Sequence, residues 1–259
     1  MELSKRRAIL PEHFRMTSFL RGSSLPLGMA NRYYSAGEER AEKVRALFAG
    51  IARRYDFLND LMSLGLHRRW RRRLIALAGQ PSRVLDLCCG TGSIAQRLPG
   101  CVVGVDFTAE MLQIAAAHSR RAHWVCADAL RLPFPDNSFD VVTVGYGLRN
   151  LADLDAGLRE IRRVLRPGGR LLSLDFGKPE NRFWRSLYFA HLRFWLPVLG
   201  RVFAGNAEAY GYILASLQAY PAQLGLKEQM QQNGFTDCGF EEFVFGAMAI
   251  NWGQKPPTE

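Results

Sequence analysis

The chain has 259 residues, 48% of them hydrophobic, 22% charged and 11% aromatic. That is room for one full domain with additions, and the apolar fraction excludes an intrinsically disordered chain. The net charge is +10, and residues 1–73 hold sixteen Lys and Arg against seven Asp and Glu, so nearly all the excess sits there; such an end points to nucleic acid, an anionic membrane surface, a targeting segment or a plain solvated face.

Residues 1–37 show no steady period and mix Arg, Ser, Gly and Pro, which reads as a basic, flexible arm. Met1–Leu20 has no apolar run of secretory-signal length and carries Glu2 and Glu12. Lys5, Arg6, Arg7, Arg15 and Arg21 beside several serines leave an organellar transit segment as the alternative to a cytoplasmic chain. The remainder, 38–259, reads as one domain in four parts. In 38–78, Val44, Leu47, Phe48 and Ile51 recur at helical spacing, and a second helix, Leu66–Ala78, follows a Ser63-Leu64-Gly65 break.

The period then changes. In 82–176 the strand Arg83–Leu87 ends in Gly90-Thr91-Gly92, followed by a helix at Ile94–Leu98 and a strand Cys101–Val105 ending at Asp106. Thr108 is the expected N-cap of the next helix. Strand His123–Cys126 runs into Asp128, strand Phe139–Val144 and helix Leu154–Leu165 follow, and Pro167-Gly168-Gly169 turns into strand Arg170–Phe176. Strands alternating with helices indicate parallel βαβ units, hence an α/β fold with an open, doubly wound sheet. Residues 181–219 form an aromatic-rich helical insertion. In 220–259 a helix, Gln223–Asn233, stops at Gly234, and two strands, Asp237–Phe245 and Ala247–Gln254, close the chain as an antiparallel pair. The most apolar stretch, Phe183–Phe203, is broken by Arg185, His191, Arg193, Pro197 and Arg201, so no transmembrane helix is expected.

Cys88, Cys89, Cys101, Cys126 and Cys238 show no CxxC spacing, and His13, His67, His118, His123 and His191 are scattered. Neither a metal site nor a redox pair is expected, and the thiols read as reduced. The strongest local signal is Asp86-Leu87-Cys88-Cys89-Gly90-Thr91-Gly92, with Asp106 twenty residues after Asp86. Glycines at a strand-to-helix turn let a ligand approach the backbone, and an acid ending the second strand can accept both hydrogen bonds of a ribose diol. Gly90-Thr91-Gly92-Ser93-Ile94-Ala95 also fits the dinucleotide pattern G-x-G-x-x-G/A, so NAD stays open as an alternative. Three features favour S-adenosyl-L-methionine. Asp86 suits the methionine ammonium and would repel a pyrophosphate. Asp128 is placed for an adenine amino group, with Ala129 beside it. Two strands follow the fifth one of the sheet.

The order Asp86, Gly90-Thr91-Gly92, Asp106, Asp128-Ala129, Leu165-Arg166-Pro167-Gly168-Gly169 resembles class I S-adenosylmethionine-dependent methyltransferases. The run from Tyr55-Asp56-Phe57-Leu58-Asn59 to His67-Arg68-Arg69-Trp70, and Tyr146-Gly147-Leu148-Arg149-Asn150-Leu151, are more particular: they resemble the ubiquinone/menaquinone biosynthesis C-methyltransferase family, from about Phe48 to Lys255. Where many family members carry small residues and an acid around the glycine loop, this chain has Cys88, Cys89 and Ser93; packing behind the loop is the favoured reading of the two thiols, ahead of reactive-cysteine chemistry. The resemblance implies a Rossmann-like sheet with Asp86, Gly90, Thr91, Gly92, Asp106, Asp128, Ala129 and Gly145 on the cofactor. It also implies methyl transfer to a ring carbon of a prenylated quinol, demethylmenaquinol first, with a ubiquinol precursor, an RNA or another aromatic or sterol substrate as alternatives.

Such a transfer is mostly a positioning task, with a neighbouring phenolate pushing electron density onto the attacked carbon. Arg149 and Asn150, following the fourth strand, are the candidates for holding that phenolate and a water or ring oxygen; the alternative for Arg149 is a structural contact with Asp153. An arginine is a poor base, so a water, His67 or Tyr55 is the expected proton acceptor, with His67 equally readable as a packed helix residue. Tyr55 and Asn59 lie one helical turn apart. Phe183, Trp184, Tyr188, Phe189, Phe194 and Trp195 are candidates for a prenyl channel or a membrane-facing surface, and Arg68–Arg73 for anionic headgroups, with Trp70 either at the interface or packed inward with Leu66 and Leu74. Peripheral contact with the inner face of a membrane is therefore expected. No RRM, KH or zinc module is present, so no nucleic-acid partner is expected, and association as a homo-oligomer is left open.

Overall fold

The computed structural model describes residues 38–52, 55–199 and 216–257; the basic arm expected at 1–37 lies outside them. Three helices come first, α1 (Glu38–Ile51), α2 (Tyr55–Ser63) and α3 (His67–Ala78). A seven-stranded sheet follows, made of β1 (Arg83–Leu87), β2 (Cys101–Asp106), β3 (Ala122–Cys126), β4 (Phe139–Gly145), β5 (Leu165–Phe176), β6 (Thr236–Phe243) and β7 (Met248–Gln254). Its order is β3-β2-β1-β4-β5-β7-β6. The first five strands are parallel, and β7 inserts antiparallel between β5 and β6. Helices α4 (Ala109–His118), α5 (Leu154–Val164), α6 (Arg182–Leu199) and α7 (Ala222–Gln232) complete the described elements. The doubly wound sheet and its antiparallel closing pair are those expected from the sequence.

The parallel strands are apolar on both faces because both faces are covered. Leu85 and Leu87 of β1 join Val142 and Val144 of β4 in a core with Leu158 and Ile161 of α5 and Leu226 and Met230 of α7. Val84 and Val141 point the other way, into a core with Trp70, Leu74 and Ala78 of α3 and Ile250 of β7. Helix α5 starts where Asp153 accepts a 2.9 Å hydrogen bond from the Ala156 N–H. Helix α7 ends at Gly234, whose φ of +80° turns the chain so that the Phe235 N–H reaches the Met230 carbonyl at 3.0 Å.

Four local expectations change. Ile94–Leu98 is only a 3-10 turn, Ala95–Arg97, because Pro99 and Gly100 leave too little chain before β2 for an α-helix. Thr108 sits at the N-cap of α4 with extended backbone, but its hydroxyl makes no capping bond. Strand β5 begins at Leu165, before the Pro-Gly-Gly turn, with an irregularity in its pairing to β4 between Phe139 and Val141. Trp70 packs inward, 7% exposed and 6.4 Å from the Phe243 ring, so it is not at an interface; Leu66, on the turn before α3, stays exposed. Among the described residues no helix is long and apolar enough to cross a membrane, and no group of three or more His, Cys, Asp and Glu gathers to hold a metal.

Candidate active site

Open α/β sheets bind ligands beyond the carboxyl ends of the strands, where the strand order reverses. Here that point lies between β1 and β4, and two adjoining clefts open there. Both share Cys88, Gly90, Gly145 and Tyr146; Asp86, Cys89, Ser93, Ile94 and Arg71 of α3 complete the first. The second adds Asp106, Thr108, Met111 and Asn150, with Phe48 of α1 on its wall.

The loop after β1 is bent to make this opening. Cys88 and Gly90 both have φ of +54°, and Tyr146 after β4 has +62°; left-handed backbone is unfavourable for residues with a side chain and gathers at functional sites. A Cβ on Gly90 would meet only open space, on the side where a ligand would lie, whereas one on Gly145 would come within 2.5 Å of Ile94 Cδ1. Gly145 is bare because the Ile94 side chain packs onto it, and Gly90 because its backbone is left-handed.

The acids are held by the backbone around them. Asp106 Oδ2 accepts the Gly90 N–H at 2.9 Å and Oδ1 the Thr108 N–H at 2.9 Å, so the end of β2 fixes the glycine loop. Asp86 is 1% exposed; its Oδ1 accepts the Thr143 hydroxyl at 2.7 Å and its Oδ2 the Ala95 N–H at 3.0 Å. Burial pushes Asp86 up to about 7, against the pull of those hydrogen bonds and of Arg71, and burial raises Asp106 as well. Burial also drives the Cys88 and Cys89 thiols well above their ordinary range, so both are protonated. They pack behind the loop, with Cys88 against Gly147 and Cys89 against Gly104.

Of the residues expected at the site, Asp86, Gly90, Asp106, Gly145 and Asn150 line the two clefts. The others lie around them. Thr91 is buried and donates to Asp56 Oδ2 at 2.9 Å, joining the loop to α2. Gly92 packs against Trp124. Asp128 is exposed, its Oδ1 holding the Leu130 N–H at 2.9 Å, and Ala129 is buried in the core. Neither lines these clefts. The backbone of Tyr55 begins α2, but its side chain lies outside the described residues.

Arg149 turns away from Asp153 and pairs with Asp175 at the end of β5. Its Nη1 donates to Asp175 Oδ1 at 2.8 Å and to the Tyr146 carbonyl at 3.0 Å, while Cζ lies 4.9 Å over the Phe176 ring. Both side chains are almost fully buried, at 7% and 4% exposure. Asn150 Nδ2 donates to the same Tyr146 carbonyl at 3.1 Å. His67 is not poised as a base: it is 3% exposed, 2.7 Å from Ser63 Oγ through Nδ1 and 3.5 Å from Asp60 through Nε2, with burial lowering its pKa. Phe48, Arg71, Phe107, Met111 and Gly147 on the cleft walls, and Asp175 beside Arg149, are among the residues the sequence did not single out for the site. Only Arg71 left a signal: it falls on the stripe His67, Trp70, Leu74, Ala78 at helical spacing, the buried face of α3.

Open space beside Gly90, an acid at the end of β2 and opposite charges at Asp86 and Arg71 fit a zwitterionic adenosyl ligand. The glycine-loop wall carries buried carboxylates where a pyrophosphate would be repelled.

Among solved structures, a SAM-dependent methyltransferase from Thermotoga maritima superposes with a TM-score of 0.56 at 20% identity, covering 81% of this chain and 99% of that one. A methyltransferase solved with the Trm112 activator of Haloferax volcanii gives 0.59 at 18%, covering 83% and 99%. These likenesses establish the fold. A demethylmenaquinone methyltransferase from Thermus thermophilus is 44% identical over 221 residues, 81% of this chain and 100% of that protein. The ubiquinone/menaquinone biosynthesis C-methyltransferase of Pseudomonas savastanoi pv. phaseolicola is 38% identical over 232 residues, 84% and 91% of the two chains. The model of the ubiE/COQ5 methyltransferase family matches residues 36–255. The chain belongs to that family and is an S-adenosylmethionine-dependent C-methyltransferase.

Proposed function

We propose that this enzyme methylates a ring carbon of a polyprenylated quinol precursor, demethylmenaquinol being the first choice. The observation that carries this is the 44% identity, across its whole length, to a protein named demethylmenaquinone methyltransferase. The corresponding ubiquinol-precursor reaction is the second reading, favoured by the Pseudomonas relative whose name joins both pathways.

Asp86 would hold the ammonium of the methionine end and Asp106 the ribose hydroxyls, with open space for the cofactor beside Gly90. When bound, S-adenosylmethionine supplies a methyl group already activated on a sulfonium, so no metal is required. Phe48 of α1 lines the second cleft, so the N-terminal helices would cover the bound cofactor and help to exclude water. The Asp175 carboxylate and the Tyr146 carbonyl fix the plane of the Arg149 guanidinium. From there Arg149 favours the phenolate form of the substrate hydroxyl beside the attacked carbon, and Asn150 holds a ring oxygen or water. A water, or Tyr55, takes the ring proton.

A prenyl tail needs an apolar approach. On α6, Phe183, Leu187 and Phe194 are 69%, 51% and 66% exposed, and Trp184 stacks at 5.0 Å on Phe245, which is 73% exposed in the β6–β7 turn. This projecting aromatic surface supports peripheral membrane contact. Trp195, also a candidate there, has its side chain outside the described residues. The arginine run contributes less than its sequence suggests: Arg68 pairs with Asp60, Arg73 with Glu241, and Arg71 is buried, leaving Arg69 and Arg72 exposed for headgroups. The proposal is tested by incubating the enzyme with S-adenosylmethionine labelled on its methyl group and reduced prenylated naphthoquinols and benzoquinols in vesicles. Label in a quinol is the expected result; label in added RNA but in no quinol overturns it.

A further inference from the structure

Five arginines crowd the first turns of α3, and the fold takes one of them indoors. The side chains of Arg68 and Arg73 are 69% and 47% exposed and each meets an acid within 3 Å. Arg71 is 9% exposed and lies at the wall of the first cleft, beside Asp86, Gly90, Ser93, Gly145 and Tyr146. Its nearest acid, Asp56, is 3.8 Å away, beyond hydrogen-bond reach. Asp56 directs its other oxygen to the Thr91 hydroxyl at 2.9 Å. Arg71 Nε and Asp56 Oδ1 are both buried with no hydrogen-bond partner.

A buried guanidinium with an unanswered N–H is costly in a finished fold and calls for a missing acceptor. The position of this one says which acceptor. Asp86 lies on the α3-facing side of β1, because side chains alternate along a strand and Val84, two residues earlier, packs against α3. The cleft therefore presents an acid from the sheet and a cation from the helix. An amino-acid group carries the complementary pair, an ammonium and a carboxylate, on one carbon. Among the described residues lining the two clefts, Arg71 is the only cationic side chain. Its forked donors match a carboxylate in geometry as well as in charge.

We propose that Arg71 binds the α-carboxylate at the methionine end of S-adenosylmethionine, a reading that rests on these clefts being the cofactor site. The arginine run thus has two parts: an exposed set, and one member that completes the cofactor cleft from a helix outside the sheet.

The test compares S-adenosylhomocysteine with 5′-methylthioadenosine, which keeps the adenosine and thioether but lacks the amino-acid end, by titration calorimetry on the full chain. Arg71→Gln should weaken S-adenosylhomocysteine by about 10- to 100-fold, as for a lost charge-assisted hydrogen bond, and 5′-methylthioadenosine by less than about twofold. Arg71→Lys keeps the charge without the fork; it guards against a Gln variant that does not fold and should lose an intermediate, roughly 3- to 10-fold share for S-adenosylhomocysteine alone. Arg72→Gln, on the exposed side, should change neither. Equal losses for both ligands would mean that Arg71 only props up the loop, and no loss for either would mean that the carboxylate lies elsewhere; each overturns the proposal. If the wild-type chain bound neither ligand, the cofactor reading of the clefts would itself fail, and this assignment with it.

Discussion

The ionisation of Asp86 makes cofactor affinity depend on pH in a way the structure specifies. Burial raises this carboxyl from its ordinary 3.8 to about 7, and an ammonium is attracted only to the ionised form. At pH 5.5 a group with a pKa of about 7 is ~3% ionised, and at pH 7.5 ~75%. Affinity for S-adenosylhomocysteine, whose amino group remains protonated over this range, should therefore rise about 25-fold, or ~2 kcal/mol. The cofactor-free fold responds in the opposite sense. Because the folded pKa lies above the unfolded one, the stability contributed by this group is fully present below about pH 4 and is lost as pH rises through about 7. A gap of about three pH units is ~4 kcal/mol at most, and a bound ammonium offsets part of it. Asp86→Asn keeps the volume and removes the titration. Calorimetry across pH 5.5–7.5 should show a steep rise for the wild type and a flat, weak response for Asp86→Asn. Equal pH slopes in the two proteins would refute the reasoning.

Three further outcomes follow from the same geometry. Asp106→Ala removes the acceptor of the Gly90 and Thr108 N–H groups; it should weaken S-adenosylhomocysteine at least tenfold and lower unfolding free energy in urea by about 2 kcal/mol or more. Arg149→Met leaves Asp175 buried without its ion-pair partner, so turnover should collapse while S-adenosylhomocysteine affinity changes less than about threefold, with stability falling by roughly 3–5 kcal/mol in urea melts; unchanged turnover would remove Arg149 from the mechanism. Gly92→Ala places a Cβ 2.4 Å from the Trp124 ring at a φ of +75° and should cost about 1–3 kcal/mol in thermal denaturation.

The sheet was legible because its strands are short apolar runs ending in acids or glycines, a pattern that parallel strands covered on both faces impose. The resemblance of the Tyr55 and Tyr146 segments then narrowed the function beyond what a glycine loop permits. What escaped the sequence is what tertiary structure decides. Asp175 read only as a strand ending; nothing local reveals that it would meet Arg149, 26 positions earlier. Arg71 was hidden by its charged neighbours, although its spacing to Trp70 and Leu74 already put it on the buried stripe. Phe245 read as the last residue of a strand; the structure ends β6 at Phe243, and only the stacking of Trp184 shows that Phe245 extends the α6 surface. Thr91 was placed on the cofactor by the resemblance alone; that its hydroxyl also ties the loop to Asp56 was not legible.

The central claim, transfer to carbon on a prenylated quinol, is tested most directly by locating the methyl group in the product. The enzyme is incubated with carbon-13 methyl-labelled S-adenosylmethionine and demethylmenaquinol in vesicles, and the extracted quinone is examined by NMR. A single labelled methyl bonded to the quinone ring carbon and surviving reoxidation is the expected result. A labelled methoxy signal, or no label in the quinone fraction while the cofactor is consumed on another substrate, would contradict it.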